Sequence, residues 1–328
     1  MAELSGLERR CYRPRNALDT IKSNRWAGSC TLRLALDPEG SLLLRIDMNE
    51  GESTFDKLDA VLAHQGPGAV LDHLVQRLRA DESHYELFEA LKMKLRHELG
   101  LPLRYSDSGD ELNESTREKL ELGLIDACRE VGMMLMRRGS VRDAWMYLRP
   151  VGDTSSVLAE LDQLEPHDEN VDEFIEICLQ EGLDLDRGFR LMLQHYGTCN
   201  SITTFESAMY GQPRAKRQIG ARLLVQHVHD ELVENIRAHI SREKDIEAPQ
   251  NSIVELIDER SWLFTEGAYH VDTTHLSSVV RFARDLEDDE SLRLALELTE
   301  YGSKLDQQLQ YPGDPPFGDF YAAHKLYF

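Results

Sequence analysis

The amino-acid sequence predicts a mostly α-helical protein built from successive pairs of helices. Apolar residues recur every three or four positions from residue 55 onward, which places them on one face of each helix. Glycine and proline residues interrupt this pattern at intervals, where helices end. Hydrophobic residues make up 41% of the 328 residues and charged residues 29%, so the chain is apolar enough to form a core.

The amino-terminal segment, residues 1–54, departs from the helical spacing. Leu32, Leu34 and Leu36 alternate with polar or small neighbours, and apolar residues alternate again over residues 42–48. The Asp-Pro-Glu-Gly sequence between the two runs suits a type I turn. We therefore predict a small β-hairpin here. A leucine-rich helix-loop-helix is the alternative, because such short apolar runs do not distinguish the two periods.

Stripes of apolar residues define the first helices of the following region. Residues 55–62 and 71–78 predict a helix pair, which the HQGPG sequence at residues 64–68 separates. Residues 85–99 predict the next helix, since a glycine and a proline follow its last apolar position.

A longer helix pair is predicted between residues 115 and 148. Ser115 and Glu118 have the spacing of a capping box, in which each side chain binds a backbone N–H group at the helix start. This predicts a helix that begins at Ser115 and ends at Gly139. A short helix over residues 141–148 completes the pair.

The carboxyl-terminal half continues the helical spacing up to residue 310. Helices are predicted within residues 171–196, 215–239, 252–264, 273–287 and 290–310. The remaining residues, 311–328, begin with a proline-rich stretch that cannot be helical and end with several aromatic residues. We expect this tail to pack on the helices, either as a cap over the last pair or the concave groove, or as a lid over a pocket containing His270 and His275.

Small and large side chains follow a characteristic order in residues 125–156. Gly132 takes the small position where two helices touch, Gly139 the turn, Ala144 the small contact of the second helix, and Leu148 the large apolar position. Small residues at facing positions let helices approach closely, while large ones fill the groove beside them. This segment resembles a tetratricopeptide repeat.

Two other segments share parts of this pattern. Residues 276–307 place Ala283 and Ala295 at the corresponding small positions, whereas residues 172–196 keep only the helix-turn-helix arrangement. The signature tryptophan and proline of the family are missing from all three segments. The resemblance implies an α-hairpin repeat superhelix over residues 55–310. It also implies a scaffold that binds a protein or peptide on its concave face, usually without catalysis.

The charge and cysteine content exclude several classes of function. Acidic side chains number 59 and basic ones 37, and the resulting net charge of -22 argues against nucleic acid and anionic membranes as partners. No apolar stretch is long enough to span a membrane, and the amino terminus lacks the apolar core of a signal peptide, so we expect a cytoplasmic protein. The five cysteines are widely separated without a CxxC pair, which favours neither a disulfide framework nor a thiolate zinc site.

The strongest candidate for chemistry is a cluster of His270, Asp272 and His275. Imidazole and carboxylate groups are the usual ligands of a divalent metal such as zinc, iron or manganese. Asp272 and His275 are three residues apart and align on a helix, whereas His270 would have to fold back from the preceding loop. The alternative is structural: Asp272 or Thr273 caps a helix, and both histidines bind nearby backbone groups.

A second candidate lies on the long helix. His227, Glu231 and Glu234 are spaced by four and three residues, so they share a face and can point metal ligands into a bundle. An ordinary solvated face has the same spacing. His229 lies among apolar residues and is predicted to be a buried histidine with a hydrogen-bond partner.

Signals for other catalytic chemistry are weak. His195 and Cys199 would suit thiolate chemistry, but Gly197 between them is expected to end the helix. No phosphate-binding glycine loop, dinucleotide fingerprint or nucleophile elbow occurs. The leading prediction is a helical-repeat scaffold that mediates protein–protein interaction. The alternative is a metal-dependent enzyme of an all-α fold, with its site near His270 and His275. The sequence predicts neither the partner nor the oligomeric state.

Overall fold

The computed structural model of the protein describes residues 30–36, 42–48, 54–103, 112–313 and 318–328. The fold is mostly α-helical, as predicted, and its helices pack against one another in a way that is compatible with an α-helical repeat. The chain divides into two compact units, Met1–Leu164 (unit 1) and Glu165–Phe328 (unit 2). The assignment of residues 55–310 to one repeat domain stays a prediction.

Two strands occupy the amino-terminal segment. β1 (Cys30–Leu36) and β2 (Leu42–Met48) pair in antiparallel fashion, with Leu34 opposite Leu44. These residues therefore form strands rather than the helical alternative. The predicted turn between them lies outside the described residues.

Unit 1 continues with five helices within its described residues. They are α1 (Thr54–Ala80), α2 (His84–Glu98), α3 (Glu114–Arg137), α4 (Val141–Leu148) and α5 (Thr154–Leu161). α1 is interrupted at Gly66, whose φ of +84° is readily adopted by glycine and leaves the helical region. This interruption falls within the break predicted at residues 64–68.

The start of α3 differs from the prediction. The N-cap residue is Asn113, whose side chain accepts a hydrogen bond of 2.9 Å from the backbone N–H of Thr116. The predicted capping box at Ser115 is therefore wrong. Asparagine caps helices as well as serine does, and Asn113 satisfies the free N–H group before Ser115 is reached, so Ser115 lies inside the helix.

α3 and α4 form a tightly packed hairpin. A Cβ atom added at Gly132 would lie 2.6 Å from Leu148 Cγ and 3.2 Å from the Ala144 carbonyl oxygen, both closer than ordinary contact. Gly139 forms the turn with a φ of +84°. The residues on which the resemblance rests therefore meet at the helix contact, as the packing argument predicts.

Ion pairs connect α1 to α3 and α3 to α5, and we call these three helices the first layer. Near the end of α1, Arg79 makes a two-pronged ion pair with Glu130 of α3, the shorter contact being 2.5 Å. At the end of α3, Arg137 pairs in turn with Glu160 of α5 at 2.5 Å. Each helix of this layer thus joins the next through an arginine near its carboxyl end.

α2 and α4 form the second layer of unit 1. The Tyr85 hydroxyl of α2 donates a 2.7 Å hydrogen bond to Asp143 of α4, and the Phe88 ring meets the Tyr147 ring edge-on, with centroids 5.1 Å apart. Both helices also pack on α3. The chain consequently alternates between the two layers from α1 to α5.

Unit 2 is arranged around one long helix. Its described helices are α6 (Val171–Ile175), α7 (Leu185–Met209), α8 (Arg214–Lys244), α9 (Ile253–Ile257), α10 (Thr273–Phe282), α11 (Asp289–Lys304) and α12 (Phe320–Tyr327). α8 contacts α7, α9, α10 and α11. The helix predicted over residues 252–264 is shorter than expected, because α9 is followed by a separate 3-10 turn, Ser261–Gly267.

A buried polar group ties α8, α9 and α11 together. His229 Nε2 lies 3.1 Å from Glu297 Oε2, which also accepts a 2.7 Å hydrogen bond from the backbone N–H of Ile253. Arg293 donates to the other carboxylate oxygen at 2.7 Å. Burial acts to raise the pKa of Glu297, but the hydrogen bonds from His229 and Ile253 outweigh it and the pKa is lowered. The prediction of a buried, hydrogen-bonded His229 is confirmed.

The carboxyl-terminal tail ends in a helix that packs on α11. A Cβ atom added at Gly302 would overlap the ring of Tyr321, so the absence of a side chain there lets α12 approach. The Tyr321 hydroxyl is buried and has no hydrogen-bond partner among the described residues, and burial raises its pKa. The tail thus covers α11 next to Tyr301, while residues 314–317 lie outside the described part of the chain.

Candidate functional site

Three side chains of unit 2 form a hydrogen-bonded chain. His239 of α8 places Nδ1 2.7 Å from Nε2 of His270, which precedes α10. The other ring nitrogen of His270, Nδ1, lies 2.9 Å from the hydroxyl of Tyr301 on α11. The backbone N–H of His270 donates to the same hydroxyl at 2.8 Å. Three separate segments therefore converge on His270.

The partners of Tyr301 fix the direction of these hydrogen bonds. Its buried hydroxyl accepts from the His270 backbone, and His270 Nδ1 is the acceptor within reach among the described residues, so the hydroxyl donates to Nδ1. His270 then carries its proton on Nε2 and donates it to His239 Nδ1. In its neutral form, His239 consequently carries a proton on Nε2, which has no described partner.

His270 is held in its neutral form. Burial lowers its pKa to about 4, and the positive charge of Arg242, like that of His239 whenever His239 is protonated, acts in the same direction. Burial likewise raises the pKa of Tyr301. A neutral imidazole matches the hydrogen-bond pattern, in which His270 accepts at one nitrogen and donates at the other.

We expect the low pKa of His270 to make the protein less stable in acid. Between pH 6.5 and pH 4 the unfolded chain binds a proton at this histidine that the folded chain does not, so the free energy of unfolding falls as the pH falls. His270→Gln should weaken this dependence. Urea unfolding at pH 7.0, 5.5 and 4.5, monitored by hydrogen exchange of the unit 2 amides, measures how the free energy of unfolding depends on pH. Equal slopes for the two proteins would contradict the assignment.

An open cavity of about 600 Å³ lies beside this chain. Its walls include three of the predicted metal ligands, Glu231, His270 and Asp272, together with His239. Asn235 also lines it, and its side-chain amide donates a 2.8 Å hydrogen bond to the His270 carbonyl oxygen, which holds the loop against α8. The structure thus brings part of the predicted set to one place.

Asp272 has a structural role beside the cavity, and the other two predicted ligands, His227 and His275, lie elsewhere. Asp272 caps α10 by accepting hydrogen bonds from the backbone N–H groups of Thr274 and His275, at 2.8 and 3.2 Å. The Thr274 hydroxyl is the main cause of its lowered pKa. The half-buried His275 lies in the first turn of α10, and His227 contacts the hydroxyl of Thr198 at 3.0 Å. Neither His227 nor His275 lines the cavity. The structural alternative for Asp272 is confirmed.

The described residues contain no group of three histidine, cysteine, aspartate or glutamate side chains placed to hold a metal ion. Both ring nitrogens of His270 make hydrogen bonds within the protein. A zinc, iron or manganese site at these residues stays a prediction. His195 and Cys199 are both exposed, and α7 bends between them at Gly197, whose φ is +75°.

Sequence reasoning missed His239, Arg242 and Tyr301. One signal was present: Glu231, Asn235, His239 and Arg242 follow one another at spacings of four, four and three residues, so they share a face of α8. Tyr301 gave no such signal, because it comes from a different helix and reads as an ordinary core aromatic.

A second candidate surface lies on α3 in unit 1. Leu122, Asp126 and Arg129 form an exposed stripe on α3 at spacings of four and three residues. Leu122 is 58% exposed, which is unusual for a leucine in a helix whose other faces are packed. This stripe belongs to the first layer.

Comparison of the chain with protein families, with curated proteins and with solved structures finds no significant match. In the described part of the chain, no helix combines the length and apolar character that a membrane crossing requires.

Proposed function

We propose that this protein is a helical-repeat interaction protein, in which the first layer of unit 1 binds a segment of another polypeptide. The observation that carries the proposal is the α3–α4 hairpin, where Gly132 contacts Ala144 and Leu148 in the arrangement expected of a tetratricopeptide-like repeat. The alternation of α1 to α5 between two layers supports the same reading, since stacked hairpins build an extended surface from one helix of each pair.

The exposed stripe on α3 suits a polypeptide ligand. Leu122 offers an apolar contact, and beside it Asp126 and Arg129, which form an ion pair of 2.6 Å with each other, offer polar groups to a bound chain. The net charge of -22 favours a partner segment that is basic overall. We therefore expect the partner to be a protein with a basic segment that carries an apolar anchor residue.

A matched pair of surface variants tests this function. Leu122→Glu places a charge on the first layer, and Met146→Glu places the same charge on α4 of the second layer, where Met146 is 36% exposed. Both tagged variants and the wild type are used to capture proteins from the cells that naturally make this chain, and the captured proteins are quantified by mass spectrometry. We expect at least one protein that the wild type and Met146→Glu enrich equally.

The captured amount of this protein should be about tenfold lower with Leu122→Glu, because burying the new charge against an apolar anchor residue costs more than 1 kcal/mol. Circular dichroism of the purified variants confirms that each is folded. Two results would contradict binding at the first layer. One is that Met146→Glu loses every captured protein; the other is that Leu122→Glu loses none of them.

A further inference from the structure

The cavity of unit 2 has two ends of opposite character. Glu231 and Asp272 contribute carboxylates, whereas His239 and Arg242 contribute hydrogen-bond donors. Glu231 and Arg242 are eleven residues apart on α8, which corresponds to about 16 Å along the helix axis. A ligand that satisfies both ends must therefore be elongated and carry opposite charges.

The acidic end contains a carboxylate without its full set of partners. Glu231 Oε2 is buried and has no hydrogen-bond donor among the described residues. A buried carboxylate oxygen without a donor destabilises the folded state. Oε2 itself is out of a ligand's reach, but a ligand ammonium group that pairs with the other oxygen, Oε1, would neutralise the carboxylate and so offset part of this cost.

The donor end has groups that are free to bind an anion. The hydrogen-bond chain from Tyr301 through His270 leaves the proton of neutral His239 on Nε2, where no described residue accepts it. The Arg242 side chain is 71% exposed, and its one described ion pair is a 3.9 Å contact with the adjacent Glu243. Both donors are therefore available to a carboxylate.

We propose that this cavity binds a short peptide with free ends, placing its amino terminus at Glu231 and its carboxyl terminus at Arg242 and His239. An extended chain covers about 3.3 to 3.6 Å per residue, so four or five residues span the distance between the two ends. Ala238 and the exposed Tyr269 also line the cavity. The site lies in unit 2 and is independent of the first layer of unit 1.

Calorimetric titration of the full chain with tetra-alanine tests the proposal. The free peptide is compared with its N-acetylated and its C-amidated forms, and we expect either block to weaken binding about tenfold, since each removes a charge-assisted contact. Glu231→Gln and Arg242→Gln should each weaken binding of the free peptide by a similar factor. Glu234→Gln and Arg222→Gln, on the same helix but outside the cavity, serve as controls and should leave affinity unchanged.

The pairing of ligand ends with residues gives the sharpest test. In Glu231→Gln, acetylation should have no further effect, while amidation should still weaken binding; Arg242→Gln should show the reverse. The proposal is overturned if tetra-alanine does not bind, or if free and blocked peptides bind equally. It is also overturned if the two cavity variants retain wild-type affinity.

Discussion

Replacing Glu297 with leucine is expected to lower the free energy of unfolding of unit 2 by about 3 to 5 kcal/mol. His229 and Glu297 are 4% and 6% exposed, so the variant leaves His229 and the backbone N–H of Ile253 buried without their acceptor. Because the pKa of Glu297 is lowered by folding, its contribution is present above its ordinary value of 4.5. It is lost as the pH falls through the folded value.

Hydrogen exchange followed by mass spectrometry measures this effect helix by helix, which a single unfolding curve of a two-unit chain does not. Glu290→Leu, on the exposed first turn of the same helix, is the control and should cost less than about 1 kcal/mol. The difference in free energy of unfolding between the wild type and Glu297→Leu should become smaller below pH 4.5. A loss no larger than the control's would mean that the buried group contributes little.

Replacing Gly132 with valine is expected to destabilise unit 1 by about 3 kcal/mol. The first added carbon would lie 2.6 Å from Leu148 Cγ and 3.2 Å from the backbone oxygen of Ala144, so α4 must move away from α3. Helix propensity acts in the opposite direction, since valine forms helices better than glycine. A net loss would therefore come from the helix contact.

Hydrogen exchange of the α3 and α4 backbone amides measures this loss of stability. Lys119→Val, on the exposed side of α3, is the control for valine in a helix and should cost less than about 1 kcal/mol. Exchange in α11 should be the same in both variants, because it belongs to unit 2. If Gly132→Val and Lys119→Val behave alike, the close approach of α3 and α4 is not what stabilises the hairpin.

Local sequence patterns predicted much of the helical fold. The spacing of apolar residues located the helices. The glycines at 66 and 139 marked real interruptions, because a break in a helix depends only on the backbone conformation of the residue at that position. Gly132, Ala144 and Leu148 could be paired in advance since they belong to one hairpin. The start of α3 was misjudged because two polar residues two positions apart, Asn113 and Ser115, could each act as the cap.

The candidate site was predicted only in part. His270, Asp272 and Glu231 do line one cavity, although the sequence suggested metal binding rather than the hydrogen bonds that the structure describes. His239 and Tyr301 each lie 31 residues from His270 along the chain. Their meeting depends on how α8 and α11 pack, which no local spacing encodes.

Site-specific photo-crosslinking tests the proposed binding surface most directly. Benzoylphenylalanine is placed at Leu122 of the first layer or at Met146 of the second, and each protein is irradiated in the cells that naturally make the chain. Binding at the first layer predicts a discrete crosslinked partner from position 122 and none from position 146. Crosslinks from position 146 alone, or equal crosslinks from both positions, would contradict it.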